Sequence, residues 1–565
     1  MRTLRECFLE YDLALLEAIA ASRGVLLEEQ DPRQAAVRLS EALADESSLH
    51  KALARLGPEA WQALRMLQHA GGRVHLPSWE RRWGEIRPFG PGRLRREEPW
   101  RQPANVSERL WYLGLLARAF DQEGGRTLEF VFIPSDLQPV VGRWLGTHPS
   151  PGGPLLRPLP DVPGEIRGAG ETCLEALLAY LVFLYNWRVR ASRAGTLHQE
   201  DRAALRAYVA QHAPPLGGQD AQEWLEIVAQ EAGLTRLEAG RLRPDPDAAR
   251  SWLEAPPARA LLTLQRAWLA TLRWNDLWHV PGLRCEATGW TNDPHLARQA
   301  VLGALGRLEP GAWYALEDLV ESIRRENPDF QRPDGDYDSW FIRHERTGRY
   351  LHGFEDWPHV EGALIRYLVS GPLHWLGVVD LGGEAAAFRL TPSGRAFLKG
   401  EEVEGPEEAP LAPARLTQDL EVWVPEGFSR YRRFQLARLA VWEPGGPPYR
   451  YRLTASSAGR AFRQGLERTQ VEKFLSHLTG AALPAEVRRA LRLWETRARE
   501  VRLRRAVVLE VRDAGVLQQL LEDTGLRKWV GERLSERHVL VPQRNLQRLM
   551  DELDRQGYAA RLEKE

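Results

Sequence analysis

Eight arginines crowd one short stretch of this chain: Arg488, Arg489, Arg492, Arg497, Arg499, Arg502, Arg504 and Arg505. On a helix, Arg488, Arg492 and Arg499 fall near one face; on a following strand, Arg502 and Arg504 share one. A guanidinium is a rigid fork of donors that matches phosphate oxygens, so the row reads as a phosphate track. Glu495, Glu500 and Glu510 interleave with it, and the plainer reading is a solvated, ion-paired surface. A second set runs Arg81, Arg82, Arg87, Arg93, Arg95, Arg96 and Arg101, among Trp79, Trp83, Phe89 and Trp100. Aromatic rings beside guanidiniums suit stacking of unpaired bases plus phosphate contact, with Arg93, Arg95 and Arg96 the densest part. Its alternative is a folded loop whose tryptophans pack on the core.

No comparable set carries catalysis. A phosphate-cradling loop needs a Gly-rich turn ending in Lys-Ser or Lys-Thr. Of 76 basic residues only Lys51, Lys399, Lys473, Lys528 and Lys564 are lysines, and none precedes Ser or Thr. The same Arg bias also follows from GC-rich coding. Asp334-Gly335-Asp336-Tyr337-Asp338 alternates carboxylates as a calcium loop does, but Ser339 stands where that loop needs Gly, which leaves a solvated turn. Cys7, Cys173 and Cys285 lie far apart with neither metal nor disulfide spacing, and read as neutral thiols. No Gly-x-Ser-x-Gly occurs. The expectation is therefore no enzyme, no cofactor and no metal. The formal net charge is −1. No run of about 18 uncharged apolar residues is present, and the start leads into a helix with Glu10 and Asp12. A cytoplasmic protein without a membrane partner is expected, with association to the nucleoid as a variant of that reading.

The elements that must position these residues divide into seven stretches. Residues 1–55 form a helical cap. Residues 56–143 run helix, strand, helix, helix, hairpin, with Trp61, Leu64 and Leu67 on the first helix, Arg73–Leu76 as the strand and Gly124-Gly125 at the turn. That order resembles a winged helix. Residues 144–170 are a Pro/Gly linker, and 171–255 a helical unit read as a second winged helix. Residues 256–400 repeat the order, clearest from 292, with Trp313–Leu316 as strand and a hairpin about Gly382-Gly383. Residues 401–415 are an acidic linker. Residues 416–565 form the last domain, ending in an alternation of β-runs and helices with Tyr558–Leu562 as the third β-run. The fold class expected is mostly α, multidomain: tandem winged-helix units followed by an α+β domain.

In that last domain Tyr449-Arg450-Tyr451-Arg452-Leu453-Thr454-Ala455-Ser456-Ser457 is followed by Gly465-Leu466, Phe474-Leu475 and Leu483-Pro484. This order resembles the N-terminal domain of the XPB helicase family, also found in bacterial helicase-associated proteins, here without a helicase motor. Pro328–Trp340 with Gly353-Phe354-Glu355 resembles the middle of the same bacterial proteins. The resemblance implies a non-enzymatic DNA-binding protein that docks on DNA, or on a separately encoded helicase or nuclease, in DNA repair or genome defence. It implies Tyr451, Leu453, Phe462, Leu466 and Phe474 as core. The alternatives are a protein–protein scaffold and a winged-helix transcription regulator; few Arg, Asn or Gln residues on the outward face of Val360–Ser370 count against the regulator.

Overall fold

The computed structural model describes residues 2–123, 126–148, 156–161, 164–218, 220–401, 412–500 and 507–563. The Gly124-Gly125 turn and most of the acidic linker lie outside them. The chain is mostly helical with several small sheets. It divides into two compact units, residues 1–416 with 421–452, and residues 417–420 with 453–565.

Three stretches of the first unit share one topology. Helix Pro58–His69, strand Arg73–His75, helices Leu76–Trp83 and Val106–Tyr112, and the hairpin Ala117–Glu123/Arg126–Phe132 follow in order. The short first strand pairs with the second hairpin strand, placing Val74 opposite Val131. Gly170–Asn186, Val189–Arg190, Gln199–His212, Ala221–Glu231 and the hairpin Thr235–Glu238/Arg241–Pro244 repeat this order and pairing. So do Pro294–Leu305, Trp313–Ala315, Leu316–Glu326, Glu361–Leu368 and the hairpin Val379–Gly382/Ala387–Leu390. The strands of the middle copy are too short and too rich in Arg and Glu to stand out in the sequence.

The first 55 residues are not a separate body. Leu4, Phe8, Leu16 and Leu39 share one core with Trp79, Leu110 and Phe132. Helices this short cannot bury an apolar face alone. The linker before residue 170 is partly docked: Leu159 N–H donates to the Trp313 carbonyl at 2.7 Å, and Ile166–Arg167 pairs with Leu381–Gly382 at the edge of the third hairpin.

In the middle copy, Glu226 is buried on Ala221–Glu231, and burial raises its carboxyl to about 7 despite Arg202 and Arg206. Its folded value lies above its unfolded one, so its contribution to stability is complete below about pH 4.5 and is lost as the pH rises through about 7. Glu226→Gln should therefore melt like the parent at pH 4 and be more stable at pH 8, by on the order of 1–3 kcal/mol. Thermal melts at the two pH values check this; equal differences at both would contradict it.

The sequence places the start of the last domain at 416, but residues 421–452 belong to the first compact unit. They form helix Arg430–Leu439 and strands Glu421–Val424, Ala440–Trp442 and Tyr449–Leu453, in a sheet with Arg415–Leu416 at its edge. Polar contacts tie them to helix Gly170–Asn186 and its successor. Arg433 is bidentate to Glu175 at 2.6 and 2.8 Å, Asn186 donates to the Ala437 carbonyl, and His212 bonds the Trp442 carbonyl.

The second compact unit starts where Thr454 caps helix Ala455–Arg463 in a reciprocal capping box with Ser457. Helices Arg468–Thr479 and Ala485–Glu500 follow. A two-stranded sheet, Val507–Glu510 against His538–Val541, then packs with Ala514–Glu522, Thr524–Arg527 and Leu546–Arg555 around Leu520, Leu526, Leu549 and Leu553. The third β-run at Tyr558–Leu562 is not a strand: left-handed Gly557 ends the last helix and the segment runs on irregularly, with Ala560 against the core. Of the implied core residues, Tyr451, Leu453 and Phe462 are buried, whereas Leu466 and Phe474 are only half-buried.

Candidate nucleic-acid interface

Helix Ala485–Glu500 turns Val487 and Leu491, one turn apart and fully buried, toward Ala455–Arg463. The small residues Ala458, Gly459 and Ala461 on that helix are buried and permit the close approach. With the apolar stripe inward, Arg488, Arg489 and Arg492 must face out. All three are exposed, and none makes an ion pair among the described residues. Arg497, two turns on, is exposed as well. By contrast, Arg468 on the neighbouring helix is held by Glu472 at 2.5 Å and Glu495 at 3.3 Å. Arg499 lies in the last turn of Ala485–Glu500, and its side chain is outside the described part, as are Arg502, Arg504 and Arg505 altogether.

The charge of the chain is unevenly spread. Residues 453–505 hold 12 Lys and Arg against 5 Asp and Glu, in a protein whose net charge is −1. Arg463 and Lys473, not singled out in the sequence, are also exposed here. The only sequence signal for them is that they too fall off the apolar stripes of their helices.

The second candidate set is arranged differently. Residues 91–97 form a short helix packed on Leu13–Arg23. Arg93 bonds Glu97 at 2.8 Å and lies over the Phe89 ring at 4.7 Å; Arg95 bonds Glu17 at 3.0 Å, and Arg96 is 3.6 Å from Glu97. The Arg93 hydrogen bond holds Glu97 below the usual carboxylate range. Trp79 and Trp83 are buried in the shared core, and Phe89 and Trp100 pack against Leu94 and Tyr112. Arg87 is committed to buried Glu108 at 2.5 Å, and Arg81 to Asp329 at 3.2 Å. These rings are already packed and these cations already paired, so the set lacks the open aromatic faces that stacking requires.

The third helix of each repeated topology, the element that could enter a major groove, is turned inward. No residue of Glu361–Leu368 is exposed, only Glu231 at the end of Ala221–Glu231 is, and Val106–Tyr112 exposes only Arg109. These helices present few fully exposed side chains to a base edge. Asp336 in the acidic turn accepts the Asp338 and Ser339 N–H groups at 2.9 and 3.0 Å, so its carboxylate serves the turn. Burial pushes the thiols of Cys7, Cys173 and Cys285 up to about 12, which keeps them neutral and unreactive. Among the described residues no helix is long and apolar enough to cross a membrane.

Residues 415–535 match the family model described as the helicase conserved C-terminal domain. The match contains Arg433, the Thr454 capping box and the exposed arginines of Ala485–Glu500. The chain thus has a helicase-related C-terminal region. No curated protein matches the chain.

Proposed function

We propose that this chain is a non-enzymatic, helicase-associated protein that docks on the DNA backbone through residues 453–505 and works beside a separately encoded helicase or nuclease. One observation carries the reading: Arg488, Arg489 and Arg492 stand exposed on one helix inside the helicase-related region, without an ion pair among the described residues. Paired surface arginines would have to give up a carboxylate for a phosphate; these three need not. The three repeated topologies have the strand order of winged helices, and with their third helices buried they serve as a scaffold rather than as readers of sequence. The lack of a Gly-Lys-Ser/Thr loop supports a partner that supplies the motor.

Duplex DNA should bind with an affinity that falls steeply with salt. Arg488→Ala, Arg489→Ala and Arg492→Ala together should reduce the log–log salt slope by about 2–3, at roughly 0.9 per phosphate that is no longer neutralised. Anisotropy titrations from 50 to 300 mM salt measure it. An unchanged slope moves the site elsewhere. No binding even at the lowest salt favours the scaffold reading, which the acidic remainder supports: outside residues 453–505 the chain holds 64 Lys and Arg against 72 Asp and Glu.

A further inference from the structure

Within the first compact unit, three tryptophans far apart in sequence form a ladder. Trp290 stacks on Trp340 with centroids 5.1 Å apart and planes 18° apart, and Trp278 stacks on Trp290 at 5.6 Å and 22°. The inner end is closed by the Arg332 guanidinium, 4.0 Å from the Trp340 ring and anchored by buried Glu361 at 2.7 Å. The outer end is open: Trp278 is 38% exposed. Here the anchored end is finished and the outer end is left to solvent.

The surroundings indicate what fits there. The ladder adjoins a two-stranded ribbon, Leu283–Cys285 against Ile342–His344, in which Arg284 and Arg343 are cross-strand partners. Phe341 and Tyr350 beside it are 44% and 36% exposed. Arg343 is held by Glu286, whereas Arg284 and Arg346 are exposed and make no ion pair among the described residues. A groove of about 750 Å³ lies at the other, Arg332-capped end of the ladder, lined by Leu272, Asn292, His295, Pro333 and Trp340, and is not part of the Trp278 face. Glu286, whose carbonyl accepts the Trp290 indole N–H, sits among these arginines, so the local field is mixed rather than strongly positive.

We infer that Trp278 is a stacking platform for an unpaired base of single-stranded DNA, separate from the arginine face of Ala485–Glu500. An open indole face receives any base regardless of sequence. Arg284 and Arg346 supply one or two phosphate contacts, and Glu286 beside them keeps the electrostatic share small. Binding at this site is therefore stacking-dominated and only weakly salt-dependent, the opposite of the backbone site. The inference rests on the nucleic-acid reading above and adds the strand state to it.

The test uses the full chain carrying Arg488→Ala, Arg489→Ala and Arg492→Ala, which silences the backbone site. A labelled oligo-dT should still bind it, with a shallow salt slope. Adding Trp278→Ala should weaken binding roughly five- to hundredfold, the range expected for one stacked base. Trp278→Phe, which keeps a π-face, should restore most of it, and halogenated uracil in the oligonucleotide should photocrosslink to Trp278. Unchanged binding in Trp278→Ala, a crosslink mapped elsewhere, or no oligo-dT binding in the triple-arginine background overturns the inference. A parent protein that binds duplex but not oligo-dT overturns it while leaving the backbone proposal intact. Oligo-dT binding that depends on Trp278, beside a duplex salt slope that the three arginine substitutions leave unchanged, supports this site and overturns the backbone proposal instead.

Discussion

Arg298→Ala should destabilise the first compact unit by about 3–5 kcal/mol, the usual cost of stripping one partner from a buried ion pair. Arg298 and Asp276 are both essentially inaccessible, and their side chains meet at 2.7 Å. The guanidinium also donates to the Trp268, Thr271 and Trp274 carbonyls at 2.7, 2.6 and 2.6 Å. Removing it leaves a buried, unpaired carboxylate held by the Trp268 indole N–H at 3.3 Å, and takes the guanidinium donor from three carbonyls, a desolvation penalty water cannot relieve. Replacing both partners, with Arg298→Met and Asp276→Leu, should recover much of the loss, because it removes the stranded charge along with the pair. Urea unfolding of the three proteins checks this. A single variant within about 1 kcal/mol of the parent would show that the site relaxes to admit water.

Arg433→Ala should cost a similar amount, about 3–5 kcal/mol, and release residues 421–452 specifically. Arg433 is buried, bidentate to Glu175, hydrogen-bonded to the Tyr451 hydroxyl at 3.3 Å, and lies over the Tyr449 ring at 3.5 Å. Burial opposes its charge, but Tyr451 and Glu175 outweigh that and raise its pKa. Arg433→Lys should recover only part of the loss, since an ammonium cannot span both carboxylate oxygens or stack flat on a ring. Hydrogen exchange should rise across Arg430–Leu439 and Ala440–Trp442 while helix Ala485–Glu500 keeps its protection. Equal protection in variant and parent would mean the sheet, not the ion pair, holds this segment.

Much of the architecture was legible in the chain. Asp31, Asn105 and Thr454 are residue types that cap helices, and each accepts the N–H three residues on, because capping is local chemistry within one turn. Two of the three repeated topologies showed through their apolar periods and glycine turns. In the middle copy, read as a second winged helix, only the helices showed, since strands such as Arg241–Pro244 are too short to carry a period. The arginine face was legible in part, because Val487 and Leu491 set which side of the helix is inward and hence which side is cationic.

What the sequence determined, then, were the elements, their caps and the outward face of Ala485–Glu500, all governed by interactions within a turn or two of chain. What only tertiary structure decided was which charges and rings are free. Arg93 and Arg95 are paired with Glu97 and Glu17, the latter 78 residues away, while Trp278, Trp290 and Trp340 become one ladder across 62 residues. The same long-range packing carries residues 421–452 out of the domain their sequence suggests, through Arg433 and Glu175, 258 residues apart. Pairing and stacking act at a few ångströms in space and carry no periodic trace along the chain.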